Sequence, residues 1–231
     1  FDMANMLTAI GRYGEAYDYY RYILMEYQSR ETYNNLGVAA VLDALQYFSP
    51  QELKFRYPLE LDLESSASKG DGMVNRRNQL LRQAILHFDA AISLDPAYAP
   101  AYLNKASAFA LMDDNARARF YAAVEAKEAA RKTNNLNTGI DADILIGILD
   151  YKEGHADRAE AAFKAAAAAG SALAAHNLKK LRDEPTGTEK PPLRGAPERI
   201  DGKSLLDIPV FDFPYDDKKV AYVSPRFTFF Q

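Results

Sequence analysis

Along most of the chain, apolar residues recur at intervals of three and four, the period of a helix that buries one face. This pattern predicts helices over 2–10, 12–28, 31–47, 76–94, 98–112, 115–132, 140–152 and 156–169, with Gly11 and Gly14 at the first turn. A further helix over 172–183 turns Leu173, Leu178 and Leu181 inward, and Gly170 ends the alanine-rich run before it. One stretch breaks the helical period. Phe55, Tyr57, Leu59, Leu61 and Leu63 alternate with charged residues and Pro58, the two-residue period of a half-buried strand. Because proline cannot donate to a ladder, that strand is expected at a sheet edge, paired with a segment such as 219–223.

Small residues mark a second regularity. Ala4, Gly37, Ala106 and Gly147 fall in alternate helices, and the helices that follow carry Ala16, Ala84, Ala118 and Ala159. Four positions after three of those alanines stand Tyr20, Phe88 and Phe163, with Ile23, Ala91 and Ala166 three further on. The third copy departs, with Ala122 and Glu125 at these places. The run Ala84-Ile-Leu-His-Phe88-Asp-Ala-Ala91-Ile-Ser-Leu-Asp-Pro96 is the fullest example. In these features the chain resembles the tetratricopeptide (TPR) repeat family, whose unit of about 34 residues pairs two helices and closes on a proline.

The resemblance implies an all-α, right-handed TPR solenoid over 1–184, with repeats at about 1–29, 30–96, 97–139 and 140–171 and a capping helix at 172–183. Repeat 2 is too long for the family, which places an insert at about 48–75 between its two helices. A smaller surplus in repeat 3 points to the Asn-rich stretch 131–137. The chain also opens inside its first helix, so a longer protein is the expectation. Beyond Glu184, Pro185, Pro191, Pro192 and Pro197 with Gly187, Gly195 and Gly202 exclude another repeat. Residues 185–231 are expected to be an extended arm that can contribute a strand. Its aromatics Phe211, Phe213, Tyr215, Tyr222, Phe227, Phe229 and Phe230 call for burial against the solenoid, in the same chain or a neighbour.

The family's ligand groove maps onto Val38, Val41 and Leu42 in repeat 2, Leu103, Ser107 and Leu111 in repeat 3, and Ile144, Ile148 and Tyr151 in repeat 4. Asn35 and Asn104, at a recurrent position of the first helices, could hydrogen-bond a ligand backbone. The carboxylate clamp of some family members is broken, since its third-repeat basic pair falls on Pro100 and Asn104. An apolar groove suits an extended hydrophobic peptide or the chain's own arm. The expected function is therefore a scaffold for a protein or peptide partner, with self-association through the arm as a further possibility. The alternative is an accessory substrate-positioning or regulatory domain of a larger enzyme such as a peptidase.

Composition narrows this further. A formal charge of −4 with no dense basic patch beyond Arg76, Arg77 and Arg82 argues against a nucleic-acid surface. No apolar run is long enough for a membrane span. The absence of cysteine removes disulfides and thiolate metal sites and leaves the compartment unspecified. His87, His155 and His176 stand apart and in no catalytic motif, so no enzymatic chemistry, metal or cofactor is expected. The Gly-containing stretch 69–75 lacks the third glycine of a dinucleotide loop, and Asp113–Asp114 and Asp216–Asp217 read as solvated turns.

Overall fold

The computed structural model describes residues 1–49, 52–60 and 74–182. Those residues are all-helical apart from turns and one irregular segment. The helices are α1 (Asp2–Ala9), α2 (Tyr13–Glu26), α3 (Arg30–Leu45), α4 (Val74–Leu94), α5 (Ala99–Leu111), α6 (Asn115–Phe120), α7 (Lys127–Thr133), α8 (Leu136–Lys152), α9 (Ala156–Ala168) and α10 (Ala172–Leu181). A π-helical stretch, Tyr121–Ala126, joins α6 to α7 through residues in right-handed helical conformation. Starts are fixed by side-chain caps: Ser29, Asp114, Asn135 and Ser171 accept from the amides of Thr32, Arg117, Thr138 and Ala174. Asn135 opens α8 four residues earlier than the periodicity predicts. Asn134, in the left-handed conformation at φ 54°, ends α7 and makes the turn between them.

Successive helices pack as neighbours, α1 on α2, α3 on α4, and α8 on α9 with α10 beyond it. Helix α5 touches both α3 and α8, so these three form a row. The small residues lie where the helices approach most closely. A Cβ on Gly37 would sit 2.4 Å from the Phe88 ring, and one on Gly147 would sit 2.9 Å from Phe163. Both rings are fully buried.

The departure in the third copy has a geometric cause. Ala118, Ala122 and Ala126 are all fully buried, whereas the regular spacing of the other copies would have placed Glu125 inward. A π turn inserts one extra residue into the helix and shifts the inward position from 125 to 126.

The strand expected at 55–63 is not observed: among the described residues there is no strand, and 56–59 have no regular secondary structure. Residues 61–63, the expected partner 219–223 and the whole C-terminal arm lie outside the described residues. The alternation has a different physical origin. Phe55 and Leu59 are buried and Tyr57 is half-buried, packed against helices instead of a sheet. No helix among the described residues is long and apolar enough to cross a membrane.

Candidate functional site

Helices α3 and α5 are buried on nearly every side, and α8 over most of its C-terminal half. One face of each is explained by its partner helix. The remaining face is covered by residues 55–60 of the same chain, which run along α8, α5 and α3 in an order opposite to that of the helices.

The cover is held by its backbone. Asn177 of α10 accepts from the Arg56 amide and donates to the Arg56 carbonyl, both at 2.9 Å. Asn104 of α5 does the same for Glu60, both at 2.8 Å. Asn34 of α3 adds a second donor to the Glu60 carbonyl at 3.0 Å. Between them, the Ser107 hydroxyl donates to the Pro58 carbonyl at 2.7 Å. Bonds to residues 56, 58 and 60 follow the two-residue period of an extended chain. A carboxamide offers one donor and one acceptor, the same pair that an edge strand presents to its neighbour. Proline falls at the one position where the helices supply a donor and no acceptor, so its missing N–H leaves nothing unpaired.

The odd-numbered side chains fill three apolar sites. Phe55 lies among Ile144, Ile148 and Phe163, with its ring edge-on to Tyr151 at 4.9 Å between centroids. Leu59 packs with Val38, Val41, Leu42 and Leu111. Tyr57 touches both of these clusters and a third that contains Leu103. Burial raises the Tyr57 pKa, partly opposed by the positive charge of Lys152. Glu60 is fixed by the Thr138 hydroxyl, which donates to its carboxylate at 2.8 Å. Lys54 donates to the Tyr151 hydroxyl at 2.9 Å and lies over that ring.

All the residues named from the sequence for a groove are thus near one face, but that face is covered. Asn35 is not a direct contact: its amide donates to Asn5 at 2.9 Å, and the adjacent Asn34 reaches the segment. The polar chain continues inward, with Asn104 donating to Asn34 at 2.8 Å, Asn34 to Asn35, and Tyr20 to Asn5 at 2.6 Å. Tyr20 is buried deeply enough that its pKa is pushed up to about 12. Asn34, Thr138 and Asn177 also contact the segment and have no place in the groove expected from the sequence. The one available signal was the presence of buried-pattern helices with asparagines in their apolar centres, since a buried amide must find partners.

His176, beside Asn177, has its pKa lowered to about 4, first by burial and then by the charges of Arg56, Lys180 and Lys179. The ordinary value, 6.5, applies to the unfolded chain. The unfolded chain therefore takes up more protons below pH 6.5, and stability is lost as pH falls from there toward 4. His176→Gln is expected to flatten that dependence. Urea midpoints at pH 7.5 and 4.5 check it, and equal slopes for both proteins would exclude a contribution from His176. His87 shares a hydrogen bond with Tyr17 at 3.3 Å, and His155 precedes α9 as its N-cap residue. Among the described residues no group of histidine and acidic side chains could hold a metal ion. Comparison with family models, curated proteins and solved structures gives no match to this chain.

Proposed function

We propose that the chain is a TPR-type helical solenoid that works as a protein-interaction scaffold, binding extended, aromatic-rich peptides along the face of α3, α5 and α8. The observation that carries this reading is the pairing of Asn104 and Asn177 with both polar groups of Glu60 and Arg56. Side-chain amides that complete a backbone's hydrogen bonds recognise an extended chain whatever its side chains. The three apolar sites between them then select residues at alternate positions. Support for the solenoid comes from the recurring small residues, two of which face a buried phenylalanine ring with no room for a Cβ between them. Catalysis has no part in this reading.

The test uses the full chain with Phe55→Ala, Tyr57→Ala and Leu59→Ala, which weakens the internal cover. A labelled peptide of residues 53–60 is added and binding followed by fluorescence anisotropy. Saturable binding is expected, weakened at least roughly tenfold by Asn104→Ala, since two hydrogen bonds to the backbone are lost. If circular dichroism shows the helices intact and the peptide does not bind, the proposal fails.

A further inference from the structure

The apolar sites read the odd-numbered residues of the covering segment, which leaves the side chain at position 56 to be judged by charge. Asn177 binds Arg56 through both of its backbone groups, so those two bonds are indifferent to the side chain that stands there. They set that side chain down beside α10. His176, Lys179 and Lys180 are three and four residues apart on this helix and therefore share one side of it, next to Asn177. Arg56, Lys179 and Lys180 all lie near enough to His176 to act on it as positive charges. The segment thus brings a cation to a basic corner.

The neighbouring helix does not balance that corner through Glu160, whose carboxylate is already shared by Lys164 and Arg182. Among the described residues, neither Lys179 nor Lys180 makes an ion pair. At the other end of the segment the chemistry is matched: the Thr138 hydroxyl donates to the Glu60 carboxylate at 2.8 Å. The face is therefore suited to acids at the second and sixth positions of a bound segment, and the chain itself supplies one only at the sixth.

We infer that the outside ligand of the α3–α5–α8 face is an acidic extended peptide, with a carboxylate side chain in the place of Arg56 and another in the place of Glu60. Phe55–Glu60 is then a stand-in that such a peptide displaces. This rests on the peptide-binding reading above and adds to it the charge and register of the ligand. The first position calls for an aromatic ring among Ile144, Ile148 and Phe163, the third for an aromatic, and the fifth for an aliphatic residue among Val38, Val41 and Leu42. Proline suits the fourth, where Ser107 donates to the carbonyl and Pro58 is buried. A tethered segment has an effective concentration on the order of millimolar, so an outside peptide of equal affinity loses to it. Like charge at position 56 lowers what the outside peptide must overcome, and opposite charge in the peptide adds to its advantage.

The test titrates two labelled peptides of residues 53–60, one native and one with Arg56→Asp, into the full chain carrying Phe55→Ala, Tyr57→Ala and Leu59→Ala. At low salt the Arg56→Asp peptide is expected to bind about fivefold more tightly, since the change turns repulsion into attraction at a partly exposed site. The advantage should shrink to less than about twofold in about 0.5 M salt, where the lysines are screened. It should invert when the protein also carries Lys179→Glu and Lys180→Glu. Equal affinities, a preference for arginine, or a preference indifferent to salt or to Lys179 and Lys180 would overturn the inference and leave peptide binding standing. If neither peptide binds while circular dichroism shows the helices intact, the peptide-binding reading falls with it. Should the triple variant not fold, the same comparison is made within the native segment. The effect of Arg56→Asp on the urea midpoint should be more favourable in the otherwise native chain than in the chain with Lys179→Glu and Lys180→Glu. The same effect in both backgrounds overturns the inference.

Discussion

Asn104→Ala is expected to destabilise the protein by about 2–4 kcal/mol, because it leaves the Glu60 amide and the Asn34 side-chain oxygen without partners at roughly 1–3 kcal/mol each. Asn104 is fully buried and makes three short bonds, two to Glu60 and one to Asn34. The Glu60 carbonyl keeps the Asn34 donor, whereas the Glu60 amide loses its acceptor. Two readouts separate this from a general packing defect. Hydrogen exchange at the Glu60 amide should accelerate far more than at amides of α8 and α9, and Asn177→Ala should do the same to Arg56 at the other end of the segment. Asn104→Asp serves as a stringent control. It keeps an acceptor for the Glu60 amide but sets a carboxylate against the Glu60 carbonyl, so it should recover little of the loss. Stability within about 0.5 kcal/mol of the native protein for Asn104→Ala would mean that the segment is not anchored through its backbone.

Gly37→Ala is the second substitution with a large expected effect, at about 1–3 kcal/mol of destabilisation. Elsewhere in a helix, glycine to alanine stabilises by up to about 1 kcal/mol. Here the added methyl would lie 2.4 Å from a ring carbon of Phe88, which is fully buried between α3 and α4 and has nowhere to turn. Gly14, in α2, has no atom within 4 Å of the corresponding point, so Gly14→Ala supplies the contrast and should stabilise. Denaturant midpoints of the two variants should therefore move in opposite directions. A stabilised Gly37→Ala would show that α3 and α4 are packed more loosely than their geometry indicates.

These two positions were legible from the sequence to different degrees. The contact of Gly37 with Phe88 follows a spacing that repeats in Gly147 and Phe163, and a repeated spacing of small and aromatic residues is visible without coordinates. The role of Asn104 was visible only as a suggestion that it could meet a ligand backbone. Asn34, not Asn35, reaches the segment, and one residue along a helix turns a side chain by about 100°, a choice that no linear spacing resolves. Thr138 and Asn177 lay beyond reach for another reason. Thr138 is 78 positions and Asn177 121 positions from the residue each contacts.

The alternation of residues 55–63 shows where pattern reading stops. A period of two reports an extended chain with one buried side; it does not report what buries it. Both halves of the answer are in the sequence, an alternating segment and an apolar helical face, but the period alone fits a sheet edge as well as a helical face. By itself, the sequence determined that most of the described residues are helical, where most helices start and stop, and which small residues let them approach. Those properties depend on neighbours within a few turns. Only the tertiary structure decided that Phe55–Glu60 covers α3, α5 and α8. That outcome depends on how amides from three helices line up in space to satisfy a backbone far from them in the chain.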